Sequence, residues 1–261
     1  MTRGLRIVHV NLARGYRGGE RQTELLIRAL ARTGLPQAIW ARAGEPLLAR
    51  LGDVPGLERV ALRPPYLGAL TASRRGDILH VHEAKAAHVA HLVHRLCGRP
   101  YLITRRIPNR PKDGRWTRAA YHHAARVVAI STAVADALRG WEGRLKPVRL
   151  PDAASAQRPD PVQVEALRAR YPGRLRIGQV GALVDHHKGQ RVLLDALRLA
   201  PELADCPVLL IGSGKDEAML RGEAADLPQV VFTGFVENVA DYLAALDVFV
   251  FPSREEGLGS T

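Results

Sequence analysis

Short, mostly apolar runs recur along this chain, at 6–10, 38–41, 59–62, 78–81, 101–104 and 127–130 and again at 175–180, 208–211 and 248–251, with helical patterns between most of them. A strand that alternates apolar and polar residues has one wet face, whereas the uninterrupted run Val248-Phe249-Val250-Phe251 is expected to be buried on both. Strands of that kind alternating with helices pack as a parallel sheet covered on both sides, so the expected fold class is α/β and doubly wound. The helical patterns carry their own caps and stops. A helix over 20–33 puts Leu25, Leu26, Ala29 and Leu30 on one face and Arg21, Glu24, Arg28 and Arg32 on the other, and Gly34 ends it. One over 84–96 turns Val89, Leu92, Val93 and Leu96 inward with Gly98 as its stop, and Ser131 caps the next. Later, a helix opening at Gly189 carries Val192, Leu193, Ala196 and Leu197 inward, and Asn238 is placed to cap a helix whose apolar stripe is Val239, Tyr242, Leu243 and Leu246.

After Leu150 the text changes to PDAASAQRPDP, small polar residues with three prolines, which is the composition of a linker. The chain therefore reads as a first domain at 1–150, a linker at 151–161 and a second domain at 162–261, two Rossmann-like halves of which the second has fewer strands and is expected to be incomplete. The net charge of +12 is unevenly divided: residues 1–150 carry 27 Lys and Arg against 10 Asp and Glu, and residues 151–261 carry 11 against 16. A basic half suits an anionic membrane surface, an acidic substrate or nucleic acid. A nucleic-acid surface calls for aromatics among its arginines, and 99–118 holds seven basic residues with only Tyr101 and Trp116, so nucleic acid is not expected. Arg105, Arg106, Arg110, Lys112 and Arg115 of that segment are instead candidate contacts for an acceptor or a membrane. No run approaches the length of a spanning helix, the first residues lack a cleavage site, and Cys97 and Cys206 sit far apart in apolar contexts as two thiols. A cytoplasmic location is expected, with peripheral contact at the inner face of the membrane.

Several loops could carry chemistry. Gly15-Tyr16-Arg17-Gly18-Gly19 lies between a strand and a helix, but it has neither the G-x-G-x-x-G spacing nor a P-loop lysine, and alone it serves equally well as a tight turn. Lys188 stands at the start of a helix after Gly181, where a point charge joins oriented backbone N–H groups and suits a diphosphate; taken alone, it is as well read as a solvated surface lysine. His82 closes the strand at 78–81, and by alternation His80 shares its face. There is no D-x-D and no nucleophile motif, His186-His187 lacks the i, i+4 spacing of a helical metal pair, and the adjacent Glu255 and Glu256 do not converge as an acid–base pair.

Together the GGE start, HVHE, Gly181 with Lys188-Gly189, GFV and PS followed by EGLG resemble the retaining glycosyltransferases of family 4, which have the GT-B fold and include bacterial cell-envelope and lipopolysaccharide enzymes. The resemblance implies an acceptor-side first domain and a nucleotide-sugar donor domain after the linker. It implies transfer of a sugar from a nucleoside diphosphate donor, with retention, to a saccharide or lipid-linked acceptor of the envelope, with no cofactor and no metal. Residue by residue, it puts Gly18, Gly19, Gly181 and Lys188 at the donor, Phe235 and Val236 along the base, and Glu256 on donor hydroxyls in a loop with Gly257, Leu258 and Gly259. His82 would lie near the donor sugar, facing the interdomain cleft. The chain departs from the family twice. Ala182 stands where many members have Arg, so His187, Arg191 or a residue of the basic half would have to supply that phosphate contact, and the family's second Glu would fall beyond Thr261, so the chain is expected to be truncated and poorly active. Two alternatives remain: a nucleotide-sugar epimerase, which calls for carboxylates the sequence does not place, and a non-catalytic nucleotide-sugar-binding protein.

Overall fold

The computed structural model of the chain describes residues 4–153, 157–254 and 256–259, so 154–156 of the expected linker, Glu255, Ser260 and Thr261 lie outside the described residues. Two compact units are present, Met1–Ala154 grouped with Gly257–Ser260, and Ser155–Glu256 grouped with Thr261. The first holds β1 (Arg6–Asn11), β2 (Gln37–Arg42), β3 (Leu57–Leu62), β4 (Asp77–Val81), β5 (Tyr101–Arg105), β6 (Arg126–Ala129) and β7 (Val148–Arg149). The second holds β8 (Ile177–Val180), β9 (Val208–Ile211), β10 (Val230–Gly234) and β11 (Val248–Phe249). Both sheets are parallel throughout, in the orders β3-β2-β1-β4-β5-β6-β7 and β10-β9-β8-β11. The α/β expectation is met, and nearly every strand falls within a residue or two of its apolar run. No helix among the described residues is long and apolar enough to cross a membrane.

Burial explains why the runs became strands. Val8, Val10, Leu79, Val81, Tyr101 and Ile103 lie in one core of the first unit, while Ile27, Ile39, Leu47 and Leu51 form a second cluster. In the other unit Ile177, Val208 and Leu210 pack with Leu193, Leu194 and Leu197 of the helix Gln190–Arg198.

Several helix faces differ from the pattern. The helix Ala84–Cys97 presents Ala86, Ala87, Ala90, His91 and Val93 inward and leaves Leu96 66 % exposed, because small alanines let its backbone approach the sheet closely. In Gly18–Ala31 the buried positions are Glu20, Thr23, Glu24 and Ile27 rather than the leucines, and Ala29 is exposed. Glu24 is kept inside by polar partners, accepting from Tyr16 Oη at 2.5 Å and Arg28 Nε at 2.9 Å. Val192 and Ala196 face solvent, with Leu194 in their place. Ser131 Oγ caps its helix by accepting from Val134 N, but Asn238 does not cap; its Nδ2 donates to Arg158 O instead. The run 248–251 was expected to be buried on both faces, yet Val248, Phe249 and Phe251 are exposed. The pairing explains it: β11 is the outermost strand, two residues long, and pairs only with β8.

One polar feature is built into the first core. His9 on β1 sits in register with His80 on β4, and His82 follows on the same face. The three rings lie 4.1 to 5.7 Å apart between centres. Removal from water disfavours the charged imidazolium, so burial first and neighbouring positive charge second push His9 down to about 4 and His80 to about 3, and His82 well below its ordinary value. The unfolded chain takes up these protons near the ordinary 6.5 while the folded one resists until much lower pH. Stability is then full above about pH 6.5 and falls as pH drops toward about 4, by about 1.4 kcal/mol per pH unit for each such imidazole. Urea unfolding at pH 7 and pH 5 should show this loss in the wild type and a smaller one in His80→Asn; equal stability at both pH values would contradict it.

Candidate active site

Parallel strands send all their carboxyl ends one way, and where two neighbours lead their chains to opposite sides a crevice is left between the departing loops. In the second sheet this reversal falls between β8 and β11. The loop after β8 contains the turn Asp185–Lys188, and the loop after β11 contains Pro252 and Glu256. They meet directly. Arg254 N donates to His187 O at 2.9 Å, Lys188 Nζ donates to Glu256 Oε1, and the same ammonium lies 5.8 Å from the centre of the Phe251 ring. Gly189, with φ at 66°, fits so closely that a Cβ there would fall 2.4 Å from Pro252 O. Two motifs distant in sequence thus become one piece of surface.

Lys188 was expected just before a helix opening at Gly189, and the helix Gln190–Arg198 does begin directly after the left-handed Gly189; Lys188 itself ends the single turn Asp185–Lys188. The turn is held by Gln179 Nε2 donating to Lys188 O at 2.7 Å and by Arg191 N donating to Asp185 Oδ1 at 2.7 Å. The loops after β9 and β10 stack on it. A Cβ on Gly212 would lie 2.1 Å from Gly181 O, one on Gly214 would lie 2.3 Å from Leu183 O, and Gly212 N donates to Gly234 O at 2.9 Å. Phe235 follows, 58 % exposed, with Val236 half-buried. Near Ala182, Arg191 is paired with Glu223, its Nε donating to Oε2 at 2.7 Å and its Nη2 to the other oxygen of that carboxylate.

In the first unit the reversal lies between β1 and β4. His82 follows β4 there, buried, with His82 Nε2 3.0 Å from His9 Nδ1 and His82 Nδ1 3.2 Å from Arg106 Nη1. Arg106 Nε donates to both oxygens of Asp152, at 3.1 and 3.0 Å. Glu83 accepts from Lys85 N and Ala86 N and so caps the helix Ala84–Cys97, while its Oε1 also accepts from Leu12 N at 3.3 Å, tying the loops after β1 and β4 together. Burial pushes the Glu83 carboxyl up.

Arg105 and Arg106 were expected on a basic surface, and both are instead enclosed. Arg105 is 7 % exposed and its Nη2 donates to Asn109 O, and Arg106 is committed to Asp152 and His82. Arg110 and Lys112 are exposed on the loop that follows, and Arg115 is exposed at the first position of the helix Arg115–His122. Gly18 and Gly19 begin their helix, two residues earlier than read, with nothing within 4 Å of an added Cβ. The neighbouring Gly15 N and Arg17 N are already taken by Glu45 and Glu20 carboxylates, at 2.7 and 2.9 Å. Gly257 groups with the first unit, where a Cβ would fall 1.9 Å from Arg106 O, while Leu258 is 42 % exposed and Gly259 has φ at 71°. Sequence reasoning passed over His9, Gln37, Thr104 and Asp152 as site residues. The histidine at the same register of two neighbouring runs was the available signal.

Family models described as "Glycosyltransferase Family 4" and "Glycosyl transferases group 1" match residues 16–150 and 174–261. A 2-deoxystreptamine N-acetyl-D-glucosaminyltransferase of Streptomyces fradiae is 30% identical across 99% of this chain and 71% of its own length. A GDP-mannose-dependent monoacylated alpha-(1-6)-phosphatidylinositol monomannoside mannosyltransferase of Corynebacterium glutamicum is 38% identical over 28% of this chain and 20% of its length. Among solved structures, Anabaena HepE in complex with UDP and glucose superposes with a TM-score of 0.82 at 17% identity, covering 95% of this chain and 74% of that one, a likeness of GT-B fold. With both models matched and a relative of that extent, the chain belongs to glycosyltransferase family 4 and is a glycosyl-transfer enzyme.

Proposed function

We propose that this enzyme transfers a sugar from a nucleoside diphosphate sugar, with retained configuration and without a metal ion, to a saccharide or lipid-linked acceptor. The observation that carries the reading is the meeting of Lys188 and Glu256 at the reversal of the second sheet. Cleavage of the bond between the sugar's anomeric carbon and the diphosphate leaves negative charge on the departing oxygen, and an ammonium together with fixed backbone N–H groups stabilises it. Lys188 is the ammonium, with the glycine loop at Gly181 beside it. Glu256 accepts from donor hydroxyls, Phe235 and Val236 line the base, and His82 meets the sugar. HepE, which has this fold, has been solved with UDP and with UDP-glucose, and this supports a uridine donor. A lysine supplying charge that a bound cation supplies elsewhere fits a sequence without D-x-D.

For the acceptor, the Corynebacterium relative's lipid substrate and the exposed Arg110, Lys112 and Arg115 favour an anionic, membrane-borne molecule approached from the cytoplasmic side. The Streptomyces relative, matched across nearly the whole chain, favours a soluble aminocyclitol instead.

Two measurements test this. Calorimetric titration with UDP should show Lys188→Ala weakened by roughly 1.5–3 kcal/mol, the range of one charge-assisted hydrogen bond; unchanged affinity in a folded variant removes the assignment. Vesicles containing anionic lipid should bind the protein less as salt rises, because exposed charges are screened beyond about 8–10 Å near physiological ionic strength. Absent or salt-independent binding, with transfer to a soluble aminocyclitol, selects the second acceptor.

A further inference from the structure

His82 does not stand alone in the first unit; it is one link in a row of hydrogen bonds whose two ends fix the direction of all of them. At one end Arg106 Nη1 lies 3.2 Å from His82 Nδ1, and a guanidinium can only donate, so Nδ1 carries the lone pair. The neutral ring then has its proton on Nε2, which lies 3.0 Å from His9 Nδ1 and donates to it. His9 Nε2, 3.0 Å from Gln37 Oε1, must in turn be the protonated nitrogen. At the far end Gln37 Nε2 donates to Ile27 O at 3.2 Å, and a carbonyl can only accept, which orients the amide with its oxygen toward His9. Reading from either end gives the same tautomers. The reverse direction would require Arg106 to accept or Ile27 O to donate.

We propose that His9 and Gln37, together with Arg106 at the other end of the row, are positioning residues that hold the His82 ring in a single orientation and tautomer, with the proton on Nε2 and the lone pair on Nδ1. Aligned donors in a desolvated site polarise one another, so the row is firmer than its members taken singly. The consequence is chemical. His82 Nδ1 carries a lone pair and never a proton, so a sugar hydroxyl that takes the place of Arg106 Nη1 meets an acceptor there and brings its own hydrogen. The three imidazoles of His9, His80 and His82 are close enough to hold a cation, but both nitrogens of His9 and of His82 already have partners, His80 Nε2 bonds Thr104 Oγ1 at 2.8 Å, and the Arg106 charge opposes one. The kinetic side of this inference rests on the reading of His82 as a sugar contact; the tautomers do not.

The full chain, labelled with ¹⁵N-histidine, should show in long-range ¹H–¹⁵N correlation spectra the Nε2–H pattern for both His9 and His82. Both rings should return to mixed tautomers only when Arg106→Leu and Gln37→Leu free both ends; Gln37→Leu alone leaves Arg106 donating to His82 Nδ1, keeps the Nε2–H pattern and loosens the row at His9. In steady-state transfer Gln37→Leu should lower kcat roughly two- to tenfold, the span of one neutral hydrogen bond, with little change in KM. In a His82→Ala background the same substitution should have no further effect, because Gln37 acts only through that ring. An Nδ1–H pattern for His82 in the wild type overturns the proposal even where Gln37→Leu fails to fold, as does one equivalent of zinc shifting the His9 and His82 nitrogens. Tautomers as stated with His82→Ala at full kcat would leave the row standing and remove His82 from the reaction.

Discussion

Each sheet reverses its direction of growth once, between β1 and β4 and between β8 and β11, and Gly18, Gly19, His82, Gly181, Lys188 and Glu256 all lie on connections leaving one of these four strands. The constraint is geometric. A parallel strand needs a crossover to reach its neighbour, the crossovers cover the faces, and only where two crossovers part is the carboxyl end of the sheet left open. The glycines at 189, 212 and 214 follow from this. Loops converging on one opening leave no room for Cβ atoms, with backbone oxygens 2.1 to 2.4 Å from where three of them would sit.

Desolvation shapes the rest of the first unit. Arg105, Arg106, Glu20, Glu24, Asp77 and three histidines are enclosed or nearly so, and enclosed polar groups persist only when partners satisfy them. Arg6 thus bonds both oxygens of Asp77, at 2.8 and 2.9 Å, and Arg106 chelates Asp152. The surplus of positive charge in 1–150 is consequently a poor map of its surface. Several arginines that inflate the count are spent on internal pairs, and the field that reaches solvent from the 99–118 segment comes from Arg110, Lys112 and Arg115.

Which parts were legible in sequence follows from the same physics. Apolar runs located the strands because burial on two faces leaves a composition signature at the strand itself. Helix faces were less legible: Leu96 reads as inward by periodicity, yet the sheet is met by Ala86, Ala87 and Ala90, since closeness of approach is a property of both partners. Glu24 reads as solvated and is buried, because its partners Tyr16 and Arg50 come from other elements. The short β7 left no pattern long enough to read. At the candidate site, motif spacing singled out Lys188, Glu256 and His82 separately; their partners depend on register and on strand order, which no local window contains.

The Lys188–Glu256 pair bears on the proposed donor site in a way the separate motifs do not. Each side chain is about one quarter exposed or less, so neither is fully solvated nor fully desolvated, and their attraction is intermediate in strength. An ammonium already held by a single carboxylate has its rotamer entropy spent and its direction fixed before a diphosphate arrives. A diphosphate presents more charge and more acceptor oxygens than one carboxylate, so on the proposed reading it competes well for the ammonium, and the displaced carboxylate is left beside the sugar hydroxyls with acceptor capacity to fill. The exchange couples recognition of the two ends of the donor. A free nucleoside diphosphate would draw Lys188 away and leave Glu256 without a donor partner, whereas a nucleotide sugar supplies both, and that asymmetry favours the intact donor over the spent product.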